Sequence, residues 1–183
     1  MTNLTAYIAY FRSLAVAHKD IQHNPESETG DAPIDSKKFC KWNAEEVVAG
    51  LRTTISFVPA ALLIELYETN FQAQQAYDIK QKPKGAFTVL CKAANETADE
   101  ERALTLAEKI TYELLQKIWQ DHHGETATLC NSPFKRFWFD RLEIIPVGPL
   151  FSDHCFGYRV EFEFEFQQTI NIITAPEEGV FNL

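Results

Sequence analysis

The chain has 183 residues, 45% of them hydrophobic and 13% aromatic, with 14 Phe against a single Met. That composition suits one globular domain with a full core and excludes disorder for the bulk of the sequence. Its 17 Lys and Arg against 26 Asp and Glu give a net charge of -9, the wrong sign for a protein that grips nucleic acid by neutralising phosphates. The longest apolar run, around residues 59–66, falls well short of the roughly 20 residues a membrane-spanning helix needs, so a soluble protein with no membrane partner is expected. Cys40, Cys91, Cys130 and Cys155 lie far apart with no CxxC pair, and no secretory leader precedes Leu4, so they read as reduced, cytosolic thiols.

Leu4, Tyr7, Ile8, Phe11, Leu14 and Ala15 recur at helical spacing behind Asn3, a candidate N-cap, and predict an amphipathic helix over residues 4–18. Residues 20–36 hold Asn24, Pro25, Gly30 and Pro33 without any period and read as a mobile surface loop. Asn43 with Glu46 three residues later starts a brief second helix that ends near Gly50. From Thr53 the chain turns β-like, with Ile55 and Phe57 alternating up to Pro59, a kink or edge position. The run Leu62, Leu63, Ile64, Leu66 and Tyr67 then suits an interior strand. Residues 69–84, rich in Gln and Lys, form a long hairpin arm or a loop, and Gly85 opens a strand through Lys92.

Thr97 and Glu100 make a capping box, and Asp99, Glu100 and Glu101 complement the helix dipole in the first turn. Leu104, Ala107, Ile110, Leu114 and Ile118 follow at three or four, and Gly124 is the natural C-cap after His122 and His123. The predicted helix, residues 98–123, would run roughly 39 Å, enough to cover a sheet face. Residues 134–147 return to strand character, with a bulge where the alternation slips between Arg141 and Ile144, and Pro146, Gly148 and Pro149 close it.

The strongest pattern in the chain runs from Phe156 to Ile172. Phe156, Tyr158, Val160, Phe162, Phe164, Phe166, Ile170 and Ile172 take the even positions, while Arg159, Glu161, Glu163 and Glu165 stand among the odd ones. Period two means a strand with one dry and one wet face. At about 3.3 Å per residue it is too long for a single ordinary strand, so it bends or pairs outside the domain. Beyond it, Pro176, Glu177, Glu178 and Gly179 form a polar tether ahead of an apolar tip, Val180 and Phe181, that docks on a neighbouring surface or frays. The expected fold is α+β: a four- to five-stranded antiparallel sheet packed by one long helix, with additional N-terminal helices. Residues 1–183 make a single domain, with a helical extension over 1–52 that includes the loop 20–36, a core over 53–172 and a tail over 173–183.

No residue set names a reaction. His122 and His123 with Cys130, and His154 with Cys155, lack ligand spacing, so a dipole-compatible helix end and ordinary core thiols outweigh a metal site. No serine sits in a GxSxG setting, and there is neither a P-loop nor a GxGxxG, so no catalytic residue, metal or cofactor is expected. Glu161, Glu163 and Glu165 share a strand face roughly 6 to 7 Å apart. They read first as a solvated side faced by cations such as Arg136 and Arg141, and otherwise as an acid–base pair or the lining of an acidic channel. Lys80, Lys82 and Lys84 read as a charged edge that blocks aggregation, or as a basic arm touching phosphate.

Taken as an order of elements, residues 61–68, 85–92, the helix opening Glu-Arg-Ala-Leu-Thr-Leu-Ala-Glu at 101–108, then 137–145 and 155–166, with GYRVEFEF at 157–164, resemble the tail terminator or tail-completion proteins of long-tailed phages and related neck and contractile-injection components. The likeness spans about 120 residues and rests on topology rather than on a motif. It implies a ring-forming, typically hexameric structural protein of the virion, assembled in the host cytoplasm. Such a ring caps a tail tube, meets neck or portal-connector proteins and lets DNA pass without binding it specifically. Glu161, Glu163 and Glu165 would then line the lumen or an interface, with Lys80, Lys82, Lys84, Val180 and Phe181 meeting neighbours. The competing expectations are a small-molecule binder or enzyme with its pocket between helix and sheet, and a non-viral adaptor that binds peptide strands on an open sheet.

Overall fold

The computed structural model describes residues 3–42, 55–75, 78–94, 97–123, 132–150 and 154–166. The order is α1 (Asn3–Ala17), two 3-10 turns (Pro25–Glu28 and Ile34–Ser36), β1 (Phe39–Trp42), β2 (Ala61–Glu65), β3 (Glu68–Gln75), β4 (Asp78–Lys92) and α2 (Thr97–His123). There follow β5 (Phe134–Phe137), a 3-10 turn (Phe139–Arg141), β6 (Glu143–Leu150) and β7 (Cys155–Phe166). The second helix expected from Asn43, the strand beyond Phe166, Cys130, Val180 and Phe181 lie outside the described residues.

The sheet is built on β4 and β7, antiparallel from Lys84↔Glu163 through Lys92↔Cys155. Along the outer side of β4 run β2, against Phe87–Leu90, and β3, against the earlier half of β4. Along the outer side of β7 run β6 and then β5. Among the described residues seven strands therefore give a sheet about five strands wide, close to the expected four to five in an α+β fold. One pairing departs from the antiparallel expectation, because β1 joins β2 in parallel. Residues 134–147 are two strands separated by the 3-10 turn at Phe139–Arg141, not one strand with a bulge. Phe139 explains the break: its ring meets Trp119 of α2 at 4.9 Å and Phe137 at 4.7 Å, which pulls the backbone out of line between the strands.

Alternation along β7 sorts the two faces. Phe156, Val160, Phe162, Phe164 and Phe166 are buried under the helices, where α2 contributes Ala107, Ile110, Leu114 and Ile118 and α1 contributes Tyr7, Phe11 and Leu14. Thus α1 enters the main core through the apolar stripe that its spacing predicts. Tyr10 Oη also donates to Asp121 of α2 at 3.0 Å. On the far face a smaller cluster forms where Ile55 and Phe57 lie over Leu63, Leu90 and Cys155. Residues 55–57 were expected as a strand. They run instead as an extended cover strap, tied by Ser56 N–H to Lys37 O at 2.8 Å and by Lys92 N–H to Phe57 O at 3.1 Å.

The segment 20–36 is a clasp, not a loose loop. Asn24 caps its first turn by accepting from Glu26 N at 3.1 Å, Ile21 and His23 are buried, and Arg12 donates twice to Glu28 at 2.7 and 2.8 Å. Lys38 N–H donates to His23 Nδ1 at 3.2 Å, which leaves the proton on Nε2 to reach Glu28 at 2.8 Å. Burial would raise the Glu28 carboxyl, but hydrogen bonds from Arg12 and His23 outweigh it and hold the group below the usual carboxylate range.

On the far face of the sheet, opposite Leu63 and Arg159 in register, Thr88 is 1% exposed and its hydroxyl has no hydrogen-bond partner among the described residues. A buried unpaired hydroxyl costs about 1 to 3 kcal/mol. Thr88→Val should therefore be neutral or stabilising by up to about 1 kcal/mol in urea denaturation. A loss of that size would mean the hydroxyl is bonded after all.

Candidate functional site

The wet face of the sheet carries a cleft of about 630 Å³ between the end of β2, the root of the β3–β4 hairpin, the 3-10 turn before β6, and β7. Strand register brings its charges together. Arg159 stands on the odd row of β7, and its guanidinium grips Glu65 at the end of β2 in two-pronged fashion, Nε to Oε1 at 2.6 Å and Nη2 to Oε2 at 2.9 Å. Nη1 of the same group bonds Glu161. The Glu65 hydrogen bonds push the Arg159 pKa upward, so its charge is permanent.

Glu163 lies between Arg141 Nη1 at 2.6 Å and Lys84 Nζ at 3.4 Å. The Arg141 hydrogen bond, more than Lys84, holds its carboxyl below the usual carboxylate range. A depressed pKa stabilises the fold above the unfolded-state value, and that contribution disappears as pH falls through the folded one. Arg141→Gln should accordingly move the Glu163 midpoint up toward the ordinary 4.5 in a carboxyl-carbon NMR titration. An unmoved midpoint would remove Arg141 as the cause.

Further along β7, Glu165 meets Lys135 at 3.1 Å and Arg136 at 3.9 Å. The row Glu161, Glu163 and Glu165 is therefore met by cations along its length, as the plain strand-face reading expects, and it is not a source of free negative charge. The surplus lies at the cleft rim. Six carboxylates and three cations line the cleft, which leaves three negative charges. Exposed Glu68, Asp140 and Glu143 have no ion-pair partner among the described residues.

Of the expected contact residues, Lys84 is at the cleft, and Lys80 and Lys82 lie further out on the same strand. The arm-or-loop alternative for residues 69–84 resolves as a hairpin, β3 against β4 from Glu68↔Lys84 to Gln75↔Asp78. Among the described residues, 78–83 of β4 pair with β3 alone, because β7 takes over only at Lys84. Pro83 sits at this fork, where it has no N–H to donate. The pocket expected between helix and sheet is filled by side chains such as Phe11, Phe87 and Phe162, and the open cleft is on the opposite face.

One cluster escaped the sequence reading. His18, Asp20 and Glu113 place a ring nitrogen and two carboxylates within 4.8 Å of one another. Asp20 N–H donates to His18 Nδ1 at 3.2 Å, so Nε2 carries the proton and donates to Glu113 at 3.0 Å. A metal at Nε2 would have to displace that proton, and the lysines already compensate the carboxylates. Lys19 stands 3.5 Å from Glu113, and Lys109 stands 3.5 Å from Asp20. The cluster pins the end of α1 to α2. No signal in the sequence could have found it, since Glu113 stands on another helix, 95 residues from His18.

Of the metal pairs weighed from sequence, the first includes Cys130, outside the described residues. His123 stacks on Trp119 at 3.9 Å, while Cys155 is buried and His154 is exposed. Burial pushes the Cys91 thiol up to about 12, which makes it a poor nucleophile. No helix among the described residues is long and apolar enough to cross a membrane. Comparison with known proteins gives no matching family model, no matching curated protein and no matching solved structure.

Proposed function

We propose that the chain is a structural assembly protein, a tail terminator or neck component whose copies form a ring at the end of a phage tail or a contractile injection tube. The observation that carries this reading is the β3–β4 arm: among the described residues, six of the fifteen residues of β4, 78–83, pair with β3 alone. An isolated two-stranded ribbon is marginal in water, and in this reading a neighbouring copy covers the arm. The order β2, β4, α2, then β5 with β6, then β7 also follows the run of elements that the resemblance calls for, with β3 inserted. The partners would be further copies, the tube and the neck or portal connector, in the virion. A net charge of -9 suits passage of DNA without retention.

Native mass spectrometry of the purified chain tests the reading. A ring of roughly six copies is expected for a closed cyclic assembly. A chain that stays monomeric at the highest attainable concentration overturns it.

A second reading has one observation in its favour: the cleft volume of about 630 Å³ falls in the range of small-ligand sites, and its surplus charge selects a cation. Titration with spermidine separates the two, because saturable binding to a monomer favours the ligand site.

A further inference from the structure

Among the described residues His23 is the most deeply buried histidine, with its side chain 0% exposed. Its ring joins two segments in one protonation state only. Nδ1 accepts from Lys38 N–H at 3.2 Å, just before β1, and the proton on Nε2 goes to Glu28 in the first 3-10 turn at 2.8 Å. An imidazolium carries a proton on both nitrogens and offers no acceptor, so its Nδ1–H and the Lys38 N–H would point at each other. The surrounding elements bring Nδ1 no other acceptor among the described residues. Arg12 of α1 already donates to the Glu28 carboxylate at 2.7 and 2.8 Å, so a charged His23 would share one negative charge with it. From β1 comes the ring of Phe39 at 5.7 Å, which the Arg12 guanidinium also faces at 5.6 Å. From α1 comes the carbonyl of Ala15, which already accepts from His23 N–H at 3.1 Å. The charges of α2 at this corner, Lys109 and Glu113, engage Asp20 and His18.

We propose that His23 is a proton-operated latch: uptake of a proton at Nδ1 releases Lys38 N–H and lets the clasp at residues 20–36 lift from the start of β1. Glu28 stays ionised through the change, because hydrogen bonds from Arg12 and His23 hold its carboxyl below the usual range. The Nε2 side therefore remains bonded, and the break comes at Nδ1. The open form binds one proton more than the closed form, so falling pH favours opening. The opening is local. Leu62 N–H donates to Lys38 O at 2.9 Å and keeps this stretch on β2, while the ring of Phe39, buried in the closed form, loses the cover that His23 gives it.

NMR of the full chain tests the latch in two ways. In wild type at about pH 7.5 the ring nitrogens of His23 should show a bare Nδ1 and a protonated Nε2. As pH falls to about 5, across the ordinary histidine range, Lys38 N–H should lose protection from hydrogen exchange by about tenfold or more, after correction for the intrinsic slowing of exchange in acid. The loss should run in step with protonation of Nδ1, while the amides of β4 from Phe87 to Leu90 keep their protection. This titration needs no variant to fold. A proton found on Nδ1 at neutral pH, an Nδ1 that stays bare throughout, or a Lys38 amide that stays protected once Nδ1 is charged overturns the latch. His23→Gln supplies an acceptor and a donor that do not titrate, and should remove the pH dependence at Lys38. His18→Gln, which deletes the other histidine of this corner, should leave it as in wild type. Acid release that persists in His23→Gln, or disappears in His18→Gln, overturns the assignment to His23.

Discussion

Gly157→Ala should cost about 4 kcal/mol or more, enough to unfold a domain whose whole stability is of the order of 5 to 15 kcal/mol. The reason is distance. A Cβ at position 157 would stand 1.8 Å from the carbonyl oxygen of Val89 and 3.1 Å from the Cα of Leu90. Both are backbone atoms of β4, and no side chain can swing aside to make room. To admit the methyl group, β7 must withdraw from β4 along the pairs Val89↔Tyr158, Leu90↔Gly157 and Cys91↔Phe156. Those residues support a core on each face, so both cores open together. Gly30 is the contrast: its φ of +87 is unfavourable for a side chain, but nothing lies within 4 Å of an added Cβ. Gly30→Ala should therefore cost only about 1 kcal/mol. Urea denaturation of both variants checks the ordering. If Gly157→Ala came within about 1 kcal/mol of wild type, the close approach of β7 to β4 would be refuted.

Replacing Tyr7 should separate packing from hydrogen bonding. Tyr7 is 0% exposed and joins α1 to both halves of the sheet. Its hydroxyl donates to Glu65 O at 3.1 Å over Gly85, while its ring stacks on Phe164 at 5.6 Å and meets Phe11 and Tyr67 edge-on at 5.1 and 5.4 Å. Tyr7→Phe deletes one hydrogen bond and should cost about 1 kcal/mol, whereas Tyr7→Ala empties the centre of an aromatic core and should cost about 3 to 5 kcal/mol. Equal losses in the two variants would show that the hydroxyl, not the ring, holds the helix.

The same residue sets an alkaline limit. Burial first, then Glu65 and Tyr67, raise the Tyr7 pKa above its ordinary 10.0. A phenol raised in the folded state stabilises the fold fully below the unfolded value, and that contribution is lost as pH climbs above it. Stability should therefore decline above about pH 10 in wild type, and less steeply in Tyr7→Phe.

The elements with a strong internal period were legible in the sequence. Helix α2 carried its start in Asp99 and Glu100 and its face in Leu104 to Ile118, and β7 carried its two faces in simple alternation. Short or ambiguous segments were not. The four residues of β1 are too few to show a period, and Ile55 with Phe57 alternate like a strand yet serve as a cover. The hairpin stayed undecided because Gln and Lys at residues 72–84 mark neither a strand nor a loop. The cleft was the least legible feature. Glu161, Glu163 and Glu165 showed as a row, and the cations that answer two of them come from other segments: Arg141 and Lys84 for Glu163, Lys135 and Arg136 for Glu165. Only strand pairing makes them neighbours, so the sequence suggested Arg136 and Arg141 as facing cations but gave no sign of Lys84, Lys135 or the Arg159–Glu65 pair.

The pairing of β4 with β7 also governs how the molecule is made. These strands are adjacent in space but are separated along the chain by α2, β5 and β6, so during synthesis β4 waits for most of the polypeptide before its partner leaves the ribosome. Until then the aromatic side of α1 has only half of its bed. Nascent chains stalled before Cys155 should be protease-sensitive and bound by chaperones, and protection should arrive in one late step.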